Sequence, residues 1–123
     1  MHLDTHVVAW LHDGQRQRIP EVSQQLLDTE PLAISPMVEL ELAYLFEIGK
    51  MSYPPNAVLE DLAPLDLSVS AAPFPSVVRV AIGLHWTRDP FDRLIAAQAV
   101  ADGVPLLTAD RRIRAHLELA VWG

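Results

Sequence analysis

The residues with the most chemical promise are carboxylates. Asp4 follows a short apolar start, and Glu41 sits inside an otherwise apolar run. Asp89, Asp92 and Asp110 mark the two ends of the segment RDPFDRLIAAQAVADGVPLLTADRR, residues 88–112. Cysteine is absent, and the five histidines (His2, His6, His12, His85, His116) show no spacing that puts two on one helical face. Oxygen donors without thiolate or imidazole partners suit hard divalent cations, Mg2+ or Mn2+. Such ions, held about 4 Å apart, can activate a water and stabilise the leaving oxygen in phosphodiester hydrolysis. Without a cation, clustered carboxylates repel, and one or more should be protonated. Each acid also has a bland reading as helix punctuation. Asp89 before Pro90 is a good N-cap, Asp92 in the next turn complements the helix dipole, and Asp4 and Asp110 each stand just before a helix start.

Which reading holds depends on the elements that position these acids. The sequence predicts a strand at His2–Asp4 and a helix from Thr5 to His12, closed by Asp13-Gly14. A second short helix spans Pro20 to Asp28, and Leu32–Ser35 is a strand. Ser35-Pro36 opens a helix that runs to about Ile48, with Gly49 as its stop. After the turn Tyr53–Asn56 comes a helix to about Leu62, then a third strand over Leu65–Val69, a loop at Pro73–Pro75 and a helix over Ser76–Leu84. Asp89-Pro90 opens the next helix, which Gly103 ends. Val104–Thr108, Arg111–Leu117 and Leu119–Trp122 follow as strand, helix and strand. Alternating apolar strands and helices imply one α/β domain over residues 1–123, with a parallel sheet covered on both faces.

Sites in open parallel sheets form at the carboxyl ends of the strands, where the strand order reverses. Asp4 ends the first strand and Asp110 lies just past the fourth, so both belong at that edge. A helix returning antiparallel to the strands also begins there, which brings Asp92 to the same height. Direction follows from the helical period of about 100° per residue, which puts Glu39, Glu47 and Lys50 on a wet face and Glu41 roughly opposite, beside Tyr44, Leu45 and Ile48. The same count puts Asp92 within roughly 60° of Ile95, Ala96 and Ala99, on the core-facing stripe. A carboxylate on an apolar face is costly unless something pairs with it.

The net charge of −7 argues against a simple basic footprint for nucleic acid, yet its distribution is uneven. Five of the nine basic residues (Arg88, Arg93, Arg111, Arg112 and Arg114) fall in or just beyond the acidic segment. Acids at one point with arginines around them suit an anionic substrate held through metal ions, with Arg88, Arg93, Arg111 and Arg112 as the expected phosphate contacts. No apolar run approaches the roughly 20 residues that cross a bilayer. The N-terminus lacks the basic and apolar parts of a signal peptide, so a soluble cytoplasmic protein is expected.

The ordered segments LDTHVVAW, ISPMVELELAYLFEIGK, RDPFDRLIAAQAVADGVPLLTAD and the closing LAVW resemble the PIN-domain family, in particular the VapC-type toxin ribonucleases of toxin–antitoxin pairs. The resemblance covers nearly the whole chain. It implies a three-layer α/β/α sandwich with a parallel sheet of about five strands, and metal-dependent endoribonuclease activity. Carried over by position, the core acids are Asp4, Glu41, Asp92 and Asp110, with Asp89 as an accessory metal ligand. Thr108 matches a hydroxyl position that orients a carboxylate or a metal-bound water, and Thr5 is a weaker counterpart. Proteins of this kind are commonly dimers whose groove is blocked by an antitoxin segment, so an RNA substrate, a cognate antitoxin and a homodimer are the implied partners. Glu39 would replace Glu41 only if its helix rotated by half a turn. A PIN nuclease of RNA maturation and a catalytically silent PIN-like module remain as alternatives. A phospho-accepting receiver domain does not fit, because the single lysine, Lys50, stands at a helix end rather than at the end of a late strand.

Overall fold

Five short parallel strands make the centre of the molecule, in a computed structural model that describes all 123 residues. In chain order they are β1 (His2–Leu3), β2 (Ala33–Ile34), β3 (Ser68–Val69), β4 (Leu106–Leu107) and β5 (Ala120–Val121). The helices are α1 (Thr5–His12), α2 (Glu21–Thr29), α3 (Pro36–Glu47), α4 (Pro55–Asp61), α5 (Phe74–Ile82), α6 (Pro90–Asp102) and α7 (Arg111–His116). Across the sheet the strands run β3-β2-β1-β4-β5, so β1 and β4 meet where the chain reverses its direction of travel. The path β1→β2→β3 crosses the sheet one way and β3→β4→β5 the other. Right-handed crossovers therefore leave their helices on opposite faces, giving three layers.

The core forms between those layers. Leu3, Ile34, Leu106 and Leu107 from the strands, Val7 and Val8 from α1, Val38 and Leu42 from α3, Ile95 from α6 and Ile113 from α7 are all fully buried. α5 packs along α6, and α3 touches α1, α4 and α6. No helix is long and apolar enough to cross a membrane.

Most expected elements are present, with three differences. α5 starts at Phe74 rather than Ser76: Pro73 is its N-cap and Pro75 lies in its first turn, where a missing N–H costs nothing. β3 is confined to Ser68–Val69, because a 3₁₀ turn at Ala63–Leu65 and a left-handed Asp66 (φ 53°) occupy the start of the expected strand. Its two residues are exposed, as suits a strand at the edge of the sheet. Third, the apolar face of α3 is only half covered. Val38 and Leu42 are buried, whereas Leu40, Tyr44 and Ile48 are exposed.

Candidate active site

The β1/β4 junction positions the site. Asp4 follows β1, its backbone N–H bonded to Leu107 O at 3.0 Å, and its carboxylate is almost wholly buried. Oδ1 accepts the Thr5 N–H (2.8 Å), capping α1, and Oδ2 accepts the Thr108 hydroxyl at 2.6 Å. Thr108 Oγ1 in turn accepts the Asp110 N–H at 3.0 Å. One buried hydroxyl thus joins the ends of the two central strands. Asp110 caps α7 through Oδ1 to the Ile113 N–H (2.9 Å), and Asp89 Oδ1 caps α6, accepting from Phe91 (2.8 Å) and Asp92 (3.2 Å). The capping reading therefore holds for Asp4, Asp89 and Asp110, and for each it engages Oδ1.

Asp92 and Glu41 are different. No hydrogen bond of good geometry reaches either carboxyl. The Asp92 carboxyl is pushed up to about 7, first by burial and then by the charges of Asp4, Asp89, Asp110 and Glu41. Glu41 is also raised, again chiefly by burial, with Asp4 and Asp89 adding to it. The nearby Thr5 hydroxyl opposes that shift, yet its buried oxygen reaches hydrogen-bond geometry with no partner. Asp4, Glu41 and Asp92 line one cleft of about 310 Å³ together with Thr5 and His6. Asp89 and Asp110 are felt there through their charge but do not line it. Glu39 is absent from the lining, so of the two glutamates it is Glu41 that meets the cleft.

His6 joins the site as a support rather than as a ligand. Its Nε2 accepts the Ala109 N–H at 2.8 Å, which leaves the ring proton on Nδ1, 3.7 Å from Asp4 Oδ2. His6 also packs on Trp10 (ring centroids 5.0 Å apart) and against Trp122 (6.4 Å). Sequence spacing put no two histidines on one helical face, but it could not reveal that a histidine of α1 bonds the turn after β4.

The arginines expected to meet phosphate do not gather at the cleft. Arg93 donates from Nε to Ala81 O (2.7 Å) and from Nη2 to Ile82 O (3.1 Å), so its guanidinium closes the end of α5. Arg111, with Arg114, lines a separate groove of about 690 Å³ between α2 and the C-terminal strand. Arg88 and Arg112 are exposed, and neither lines the acid cleft. The cations that do line it are Arg18, which the sequence did not single out, and Lys50. The helical period put Lys50 on the wet face opposite Glu41, but it lines the same cleft because the chain turns back at Gly49. One signal was available: Lys50 follows the stop of the helix that carries Glu41.

Whether these residues suit a divalent cation can be asked of their chemistry. All the donors are oxygen, burial and mutual repulsion raise the pKa of two of the carboxyls, and a buried hydroxyl at the cleft lacks a partner. Those features fit a hard cation. No three of the side chains converge closely enough to chelate one ion in this structure. Mg2+ does not require that, since it keeps several waters and binds directly through one or two carboxylates.

Comparison with known proteins agrees with the fold. The family model described as PIN domain matches residues 1–117. The chain is 33% identical over 125 aligned positions to Ribonuclease VapC22 of Mycobacterium tuberculosis, covering 98% of this chain and 96% of that protein. Among solved structures, VapBC2 from Rickettsia felis bound to a DNA fragment from their promoter superposes with a TM-score of 0.67, covering 98% of this chain and 94% of that one. At 20% identity that likeness speaks for the fold alone.

Proposed function

The chain belongs to the PIN-domain family, and we propose that it is a divalent-metal-dependent endoribonuclease acting as the toxin of a toxin–antitoxin pair in the cytoplasm. The observation that carries this reading is the Asp92 carboxyl at about 7, crowded by Asp4, Asp89, Asp110 and Glu41. Such crowding is unfavourable in isolation and is relieved by a cation. The similarity to a protein named as a ribonuclease over 98% of the chain supports the same substrate class.

In this reading Asp4, Asp92 and Glu41 would hold Mg2+ or Mn2+, and Asp110 and Asp89 would add charge from the rim. When bound, the cation supplies a water of lowered pKa and charge stabilisation at the phosphodiester. The chain's own residues do the rest. Thr108 fixes the Asp4 carboxylate and the Asp110 backbone in one geometry, and His6 steadies the turn between them through Ala109. The buried Thr5 hydroxyl, beside Glu41 at the cleft, would help to orient that carboxylate. The exposed Arg88 and Arg112 would serve as outer phosphate contacts, whereas Arg111 lies in another groove.

The antitoxin partner follows from the family resemblance, and the fold of a known toxin–antitoxin assembly is consistent with it. A homodimer would use the outer face of α3, where Leu40, Tyr44 and Ile48 lie four apart and exposed, with Tyr44 against Phe91 at 5.8 Å between ring centroids. The test is cleavage of total RNA with Mn2+ and mapping of the cut sites, beside Asp4→Asn and Asp92→Asn. Both variants should lose cleavage. Full activity in both would overturn the assignment.

A further inference from the structure

The sequence gathers its arginines around the acids, yet the acid cleft is lined by a different pair. Arg18 stands on the α1 side of the cleft and Lys50 on the α3 side, and neither has a carboxylate partner within ion-pair distance. The Arg18 side chain and the Lys50 backbone are each held in place. The Arg18 guanidinium lies 4.1 Å from the centre of the Trp10 ring, and its Nη1 donates to Gln15 Oε1 at 3.2 Å. Trp10 is itself wedged against His6 and Trp122, with ring centroids 5.0 and 5.9 Å away. Lys50 is placed by the end of α3. Gly49, at φ 79°, lets the chain turn back, the Gly49 N–H meets Phe46 O at 3.1 Å, and the Lys50 N–H meets Leu45 O at 2.8 Å.

We propose that Arg18 and Lys50 form a two-point grip on the phosphates of a single RNA strand, one on each side of the acid cleft. This rests on the nuclease reading and names how its substrate is held. A chain of net charge −7 with a carboxylate cluster repels a polyanion, so cations at the cleft itself matter more than cations elsewhere. A cleft of about 310 Å³ is at the small end of ligand sites, a size that suits a single strand better than a duplex. Arg18 has lost most of its rotamer freedom to the indole before any substrate arrives, so little ordering remains to be done on binding. Its planar face also suits the unstacked bases of single-stranded RNA.

The experiment is steady-state cleavage of a labelled single-stranded RNA oligonucleotide with Mn2+, at several salt concentrations. Arg18→Ala and Lys50→Ala should each raise KM about tenfold, as the loss of a hydrogen bond to a charged group does. Both should keep kcat within about twofold, since the contact holds substrate and transition state alike. Each should also flatten the dependence of log KM on log salt by about 0.7, one phosphate contact on a single strand. Arg18→Lys keeps the charge without the planar fork, so it should retain the salt slope while KM still rises. Arg79→Ala and Arg114→Ala, on the surface away from the cleft, should change neither quantity. Unchanged KM and slope in Arg18→Ala and Lys50→Ala would overturn the grip, as would equal effects in the two controls. Asp4→Asn separates the two levels. If it cleaves like the wild type, the nuclease reading falls and takes the grip with it. If it is inactive while the Arg18 and Lys50 variants match the wild type, the grip alone is wrong.

Discussion

Replacing Asp92 by Asn should make the metal-free protein more stable, and more so at pH 8 than at pH 5. The carboxyl is raised from 3.8 to about 7, so the folded state holds a proton that the unfolded chain releases between those values. Folding stability then falls as the pH rises through that window, because the native state binds more protons than the unfolded one. At about 1.36 kcal/mol per unit, the penalty is about 1.7 kcal/mol at pH 5 and about 4.3 kcal/mol at pH 8. Asp92 is half-buried, so solvent screening reduces both, and a pH-dependent difference of about 1–2 kcal/mol is the figure to expect. Asn keeps the side-chain volume and removes the charge. Urea unfolding with EDTA at the two pH values measures this, the midpoint moving while the slope stays fixed.

Mn2+ should then reverse the order. A ligand that binds only the folded state stabilises it by RT ln(1 + [L]/Kd), about 2.7 kcal/mol at a hundredfold excess over Kd. The wild type should gain this and Asp92→Asn should not. If Asp92→Asn is no more stable than the wild type at pH 8 with EDTA, or gains equally at both pH values, the crowding argument is refuted.

Thr108→Val removes the hydroxyl that joins Asp4 to the Asp110 N–H, and should cost about 1–3 kcal/mol in urea unfolding together with most of the cleavage activity. Arg93→Ala uncovers the last carbonyls of α5, and should lower stability by about 1 kcal/mol while leaving the salt dependence of cleavage unchanged. His2 is fully buried beside Asp102 (2.7 Å), and burial lowers its pKa below 6.5 in spite of that carboxylate. The folded state therefore binds fewer protons than the unfolded chain just below pH 6.5, and stability falls as the pH drops into that window. His2→Gln in the Asp92→Asn background, where the opposing titration is gone, should flatten this acid loss in thermal melts. Tyr44→Glu puts a charge on the exposed face of α3 and should shift a dimer to monomer in light scattering, with the monomer's fold intact by circular dichroism.

Features of the fold that depend on neighbouring residues could be read from the chain. Ser35-Pro36 and Asp89-Pro90 announce α3 and α6 because a cap and a first-turn proline act within one turn. Glu41 was separable from Glu39 because a helix fixes their relative direction. Other features depend on distant partners and were not legible. Tyr44 and Ile48 share a side of α3 with Glu41, but the period says nothing of how far the neighbouring helices extend over that side, and both are exposed. Arg93 was read as a phosphate contact because it stands beside Asp92, yet its guanidinium reaches carbonyls 11 and 12 residues back, at a helix end that only the packing of α5 on α6 brings near. Arg18 gave no local signal at all, since its placement depends on Trp10 across a turn.

Helix capping and a catalytic role were posed as rival accounts of the acids, and the geometry makes them compatible. Helices that return antiparallel to a parallel sheet begin at its carboxyl edge, so their N-caps collect there. Asp4, Asp89 and Asp110 cap α1, α6 and α7 through Oδ1, and the positive ends of those helices offset part of the gathered charge. Asp92, though in the first turn of α6, and Glu41 accept no backbone N–H, and burial with the neighbouring charges raises the pKa of both. The topology concentrates carboxylates at little cost until the last two are added, and the cost of those two is what a bound cation would remove. A stabilising Asp92→Asn that abolishes cleavage would show that this instability belongs to the function.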